Sequence, residues 1–202
     1  MVTGDHFLLA RWLLKQGQSK LPRRFAAGLL TGSVLPDCNP FTYFRGIRGG
    51  QGLYGHHAEI TRGKICALLA GSEKPGKAGF LRGLRLGTAL HYLADAFTYP
   101  HHQYYQGSLA DHVSYEKSLH RTFRDHLASG GRTQWTKISD FDIYFDDMLR
   151  LYRQCRKSER GDCRFITLMC GMAFETALGQ PKTKEVVLDE DPDHIRSVPA
   201  IR

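Results

Sequence analysis

His91 and Asp95 stand four residues apart, and so do His112 and Glu116. On a helix, positions i and i+4 project from one face, so each pair brings an imidazole nitrogen and a carboxylate oxygen to one point. That donor pair suits zinc, and equally iron or manganese. Between the two pairs lies Pro100-His101-His102, where a helix-ending proline leaves rigid backbone that can aim an imidazole at the same cavity. A single pair is explained as well by a His–Asp hydrogen bond joining two helices; a repeat of the spacing with a histidine between is not. His6 in the first turn of one predicted helix, Asp37 directly after Pro36, and His56-His57 at the start of another helix add further ligands. Together these residues offer enough nitrogen and oxygen donors for two or three ions. Structural zinc is usually closed and cysteine-rich, whereas an open nitrogen and oxygen cluster is catalytic in style, so the pattern points to hydrolysis.

Several other metal and nucleophile chemistries lack their signatures. There is no H-E-x-x-H, no His-Asp dipeptide of an HD phosphohydrolase and no Glu-x-x-His pair of a ferritin-like bundle. Gly-x-Ser-x-Gly and the phosphate-binding Gly-x-x-x-x-Gly-Lys-Ser/Thr loop are absent too. His120 continues the His112 face by one turn, as a surface residue or one that supports a ligand; His126 and His194 are read as surface and tail.

The elements that must position these residues read as helices. Phe80 to Phe97 places Leu81, Leu84, Leu86, Ala89, Leu90, Leu93, Ala94 and Phe97 at helical spacing, which predicts a central, buried helix ended by Pro100. Helices are also expected from near Asp5 to Lys15, from Phe25 until Pro36 stops the chain with Asp37 in a loop, and from His57 to Leu69. Ser108 is a suitable N-cap for a helix through His112 and Glu116 to the Gly130-Gly131 stop. Ser139 or Asp140 caps another through Tyr152, and an apolar segment runs from Phe165 to Leu178. Residues 38 to 55 have no usable period and read as an irregular loop long enough to suggest a function. No stretch alternates as a strand. The expectation is an all-α, single-domain, multi-helix bundle over residues 1–179, with an extended or disordered tail over 180–202.

The chain has 202 residues with 42% apolar and 11% aromatic side chains, enough for one domain with a core and unlike a low-complexity chain. No apolar run approaches the roughly 20 residues of a transmembrane helix. Asp5, His6 and Arg11 break any signal-peptide pattern, and the five cysteines form no C-x-x-C pair and read as buried free thiols; both point to a cytoplasmic location. Ten histidines are present, eight between His56 and His126, and the net charge of +8 favours anionic partners: phosphate esters, nucleic acid or acidic lipid surfaces. Arg45, Arg48 and Arg62 could contact phosphate, with solvated surface as the reading to beat, Glu59 is a spare carboxylate, and Tyr43, Phe44 and Tyr54 could line a lipid or base pocket or simply belong to the core.

In order along the chain, Pro36-Asp37, a histidine at 56 or 57, Leu90-His-Tyr-Leu-Ala-Asp-Ala-Phe-Thr-Tyr-Pro-His101 and His112-x-x-x-Glu116 resemble the bacterial zinc-dependent phospholipase C family, an all-helical fold related to the single-strand-specific zinc nucleases. The resemblance runs from His6 to about Glu116. It implies one zinc held by Asp37, His56 or His57 (His57 preferred), His91 and Asp95, and a second held by His101, His112 and Glu116. Asp95 would bridge to a third ion, shared with His6 and with the amine and carbonyl of an N-terminal Trp. This chain reads Met1-Val2-Thr3, so two zinc ions are expected, and a third only where Met1, Asp5 or water replaces the Trp. The implied activity is hydrolysis of a phosphate ester, phospholipid among them, by a metal-bound hydroxide, with Asp37 orienting or deprotonating the water. Peripheral membrane contact would accompany a lipid substrate. Cleavage of single-stranded nucleic acid by the same ions, or metal binding without catalysis, are the alternatives.

Overall fold

The computed structural model describes residues 1–17, 21–38, 58–72, 79–130 and 135–178, with backbone alone at 59, 71 and 72. His56, His57, the loop from 39 to 55 with its arginines and aromatics, the Glu59 side chain, and the 180–202 tail with His194 lie outside the described residues. Among those described there are seven α-helices and no strand, which is the all-α architecture expected. They are α1 (Thr3–Gln16), α2 (Arg23–Cys38), α3 (Ala58–Ser72), α4 (Phe80–Asp95), α5 (Leu109–Ser129), α6 (Phe141–Gln154) and α7 (Glu159–Leu178), with a single 3-10 turn at Tyr99–His101 between α4 and α5. Among the described residues no helix is long and apolar enough to cross a membrane.

Capping chemistry sets several ends where the sequence placed them. The Ser108 hydroxyl accepts the Asp111 N–H (3.2 Å) while the Asp111 carboxylate accepts the Ser108 N–H (2.8 Å), a reciprocal box that satisfies two orphan donors at the start of α5. Asp140 accepts the Ile143 N–H (3.3 Å) at the start of α6. The helix expected from Phe80 to Phe97 closes at Asp95, and α7 begins at Glu159, one turn and more before its apolar stretch.

Helix α4 is central, packing against α1, α2, α3 and α7, and its closest neighbour is α2. Two glycine pairs explain that closeness. A Cβ on Gly28 would lie 2.9 Å from the Leu84 nitrogen, and one on Gly83 would lie 2.9 Å from the Leu29 nitrogen. Gly32 and Gly87 repeat this one turn on, with Leu84 C at 2.9 Å and Ser33 N at 2.8 Å, and in all four cases a carbonyl oxygen is nearer still. Small residues spaced four apart on both helices let the backbones touch, with Cα–H groups against carbonyls. Because Gly28 meets residues 80 and 84 while Gly32 meets residue 84 and Thr88 reaches the Gly32 carbonyl, the helices run parallel in register. Their C-terminal turns, carrying Asp37 and His91 with Asp95, therefore arrive at the same end of the bundle.

Pro36 does not stop α2; it lies inside the helix, and Asp37 occupies the last turn rather than a loop. A proline removes the hydrogen bond to the carbonyl four residues back, here Gly32, and only two helical residues follow it. That carbonyl instead has the Thr88 hydroxyl of α4 at 3.4 Å, and packing along α4 holds the backbone helical. The thiols also divide: Cys163 and Cys170 are buried, Cys66 and Cys155 half-buried, and Cys38 exposed. Phe97, two residues past α4, stacks on Phe165 (5.6 Å between centroids) and meets Tyr152 edge-on (5.5 Å), joining this segment to α6 and α7.

Candidate metal centre

His91, on the last full turn of α4, donates its Nδ1–H to the Ser33 carbonyl (2.8 Å). An acceptor at Nδ1 settles the neutral tautomer, because a carbonyl cannot donate. Nε2 then carries the lone pair, and it faces Asp37 Oδ1 and Asp95 Oδ2, each at 3.4 Å. A lone pair pointing at two carboxylates repels them unless a cation or a proton lies between.

His6, in the first turn of α1, stacks on the His91 ring with centroids 3.8 Å apart and planes 24° from parallel. Its Nε2 is 3.3 Å from Asp95 Oδ1, yet neither of its ring nitrogens makes a hydrogen bond, and the residue is only 1% exposed. A buried unmade donor or acceptor costs about 1–3 kcal/mol. Asp37 Oδ2 is likewise buried without a hydrogen-bond partner. Burial pushes the Asp37 carboxyl up, His6 opposes this, and the nearby Asp95 charge adds to it.

His101 and Glu116 form the second group with His112. His101 Nε2 lies 3.1 Å from Glu116 Oε1, His112 Nε2 lies 3.2 Å from the same oxygen, and the two rings are 5.1 Å apart. Burial works against the Glu116 charge, but hydrogen bonds from His101 and His112 hold its carboxyl far below the ordinary range. Burial, and then the Met1 ammonium, lower His101 to about 4 against the pull of Asp95 and Glu116, so its imidazole is neutral near pH 7. His101 Nδ1 stands 3.7 Å from Asp95 Oδ1, which places the two groups side by side.

The Met1 ammonium lies between them, 3.0 Å from Asp95 Oδ1, 3.0 Å from Glu116 Oε1 and 3.3 Å from His101 Nε2. Burial opposes its charge, yet Asp95 and Glu116 outweigh burial and push its pKa up to about 10. Burial alone would raise Asp95 as well, but the ammonium, His101, His6 and His91 hold it well below the carboxylate range. A cation thus occupies the point where the two groups meet, as the chemistry of this donor set requires.

Within each of two sets, His6 with His91 and Asp95, and His101 with His112 and Glu116, the ligand atoms lie within 4.8 Å of one another. The orphaned nitrogens of His6, the His91 lone pair between carboxylates and the interposed ammonium all fit a divalent cation. Six of the residues read from the sequence converge on these sets, and Asp37 stands at their edge against His91. Arg62 is held by a two-pronged pair with Asp146. His126 is not a surface residue but half-buried, its Nε2 3.1 Å from the Thr167 hydroxyl, with burial and Arg164 lowering its pKa.

Three supporting contacts are set by the tertiary structure. Asp5, wholly buried, pairs with His120 Nδ1 (2.6 Å). The Ser33 carbonyl orients His91. Asp162 gathers three hydrogen bonds behind the second set. The glycines that set the α2–α4 approach did carry a signal, since Gly28 with Gly32 and Gly83 with Gly87 share a four-residue spacing.

Fold and site together define an all-helical protein with a histidine and carboxylate centre suited to divalent metal. Residues 5–164 match the family described as zinc-dependent phospholipase C, and the chain belongs to that family. No curated protein and no solved structure matches it.

Proposed function

We propose that this protein is a zinc-dependent hydrolase of phosphate esters, with phospholipid as its substrate class. The observation that carries this reading is His91: its tautomer is set by Ser33, and its lone pair faces Asp37 and Asp95 beside the unmade nitrogens of His6. In this reading His6, His91 and Asp95 hold one ion, with Asp37 beside it against His91, and His101, His112 and Glu116 hold another. Zinc so held supplies Lewis acidity toward a phosphoryl oxygen and brings the pKa of a bound water near neutrality.

The chain's own residues do the rest. Asp37 Oδ2, raised by burial and without a hydrogen-bond partner, orients the attacking water and takes its proton. Hydrolysis of the phospholipase C type then forms a bond from that water oxygen to phosphorus and breaks the bond from phosphorus to the glycerol oxygen, which leaves with a proton. Stacking on His6 and the bond to Ser33 keep His91 from turning, and Asp95, between both sets, stays ionised across the working range.

The test is zinc content per chain together with turnover of short-chain phosphatidylcholine, for wild type, Asp37→Asn, Asp95→Ala and Glu116→Ala. Two zinc ions in wild type, loss of zinc in the Asp95 and Glu116 variants, and lost turnover with retained zinc in Asp37→Asn support the reading. An apo protein in zinc-containing buffer overturns it. Zinc-dependent cleavage of single-stranded DNA in place of lipid would move the assignment to a nuclease, and bound zinc without turnover of either to a binding protein.

A further inference from the structure

Behind the second donor set, on the first turn of α7, Asp162 lies wholly inside the protein. Its Oδ1 accepts the Tyr152 hydroxyl (2.6 Å), and its Oδ2 accepts both the Tyr99 backbone N–H (2.9 Å) and the Tyr115 hydroxyl (2.9 Å). The three donors belong to three elements: α6, the 3-10 turn and α5. Two of them adjoin ligands. Tyr99 opens the turn two residues before His101, and Tyr115 directly precedes Glu116 on α5.

The Tyr99 N–H is a donor that its own turn cannot satisfy, because the first amides of a helical turn have no partner within it. Asp162 takes that donor, while the Thr98 hydroxyl ties the same segment back to the Ala94 carbonyl at the end of α4 (3.0 Å). Along α5, the Tyr115 ring meets the Tyr99 ring at 5.9 Å, and His102 packs on Tyr152 at 5.1 Å. The 3.1 Å approach of His101 to Glu116 is therefore set by a loop segment and a helix that meet through one carboxylate. The other set is supported differently, from α1, α4 and the Ser33 carbonyl, and none of the three donors to Asp162 lies on α1 or α4.

Resting on the reading of His101, His112 and Glu116 as ligands of one zinc ion, we propose that Asp162 is a positioning residue for that ion and for no other, holding the His101 turn and the Glu116 helix in one placement. Groups that fix ligands from behind change metal affinity about 10- to 100-fold when removed. The geometry also singles out its best replacement. In Asp162→Asn the amide oxygen can accept from Tyr99 and Tyr115 while the amide nitrogen donates to the Tyr152 oxygen, so all three links survive; in Asp162→Ala none does.

The experiment titrates zinc, buffered by a competing chelator, into wild type, Asp162→Ala, Asp162→Asn, Glu116→Ala and the Asp162→Ala/Glu116→Ala double variant, each checked for helicity by circular dichroism. The expected result is a loss of about 10- to 100-fold in the affinity of one ion in Asp162→Ala, the second ion unchanged, near wild-type binding in Asp162→Asn, and no further loss in the double variant. Should the alanine variant fail to fold, Tyr115→Phe removes one link without leaving a hole and carries the same site-selective expectation at several-fold size. Wild-type affinity for both ions in a folded Asp162→Ala or Tyr115→Phe, or an equal loss at both sites, overturns the positioning role alone. Zinc binding that Glu116→Ala leaves unchanged overturns the ligand assignment beneath it.

Discussion

Substituting Gly87 by alanine tests whether the α2–α4 approach is what brings Asp37 and His91 together. The new Cβ would meet the Ser33 nitrogen at 2.8 Å, the Gly32 carbonyl carbon at 3.0 Å and the Leu29 carbonyl oxygen closer still, where ordinary contact begins at 3.4 Å. Every obstacle is backbone, and because the Leu29 carbonyl oxygen lies nearer than the Ser33 nitrogen, the helices must part by more than the 0.6 Å that separates 2.8 Å from 3.4 Å. Overpacking of this kind costs about 1–3 kcal/mol, the upper end applying where nothing flexible can yield. Alanine returns about 1 kcal/mol of helix propensity, leaving a net loss of about 2 kcal/mol. For a chain of this length that is about 4–8 °C in Tm, measured in chelator so that metal does not contribute. One turn on, the same opening would stretch the His91 to Ser33 bond from 2.8 Å to the edge of hydrogen-bonding distance, and zinc affinity should fall about 10- to 100-fold. A Gly87→Ala protein as stable as wild type, with unchanged zinc binding, would refute the close approach and the registration of the site that depends on it.

Gly63, inside α3 with nothing near the position of a Cβ, provides the opposite sign: Gly63→Ala should raise stability by up to about 1 kcal/mol in urea unfolding and leave zinc binding alone. Removing zinc should lower Tm, because an ion bound only by the folded chain at a thousand times its Kd contributes about 4 kcal/mol, or about 10 °C here; an unchanged Tm in chelator would count against a folded-state site. His6→Phe should move the two properties apart, stabilising the metal-free protein by about 1 kcal/mol through loss of two unmade buried nitrogens while weakening zinc binding. Burial raises Asp162 to about 6 against the hydrogen bonds from Tyr152, Tyr99 and Tyr115 and the charge of Lys157. Between about pH 4 and 6 the native state thus keeps a proton that the unfolded chain releases, so stability falls as pH rises through that window, by about 3 kcal/mol for a shift of about two units. Unfolding midpoints of Asp162→Asn compared with wild type from pH 4 to 7 should show that dependence removed.

Local regularities along the chain carried most of the helices and half of the site. The capping pair Ser108 and Asp111, the Asp140 cap and the apolar spacing of α4 depend on groups within a turn of one another, so the residue order alone specifies them. The same holds for His91 with Asp95 and for His112 with Glu116, whose shared faces follow from the helical period. Pro36 misled because its local rule, loss of one backbone bond and a clash, holds only until a neighbouring helix supports the turn; α4 does so here.

What the tertiary structure alone decided is convergence. His6 stacks on a histidine 85 positions later, His101 meets Glu116 across a turn held by Asp162, and Asp5 is buried against His120, none of which has a local signature. A lone aspartate at the start of a helix reads the same whether it faces water or, like Asp162, three donors from three elements. The difference lies in how closely helices pack. That closeness is set by small residues facing one another across an interface, and by the cost of leaving a buried polar group without its partner.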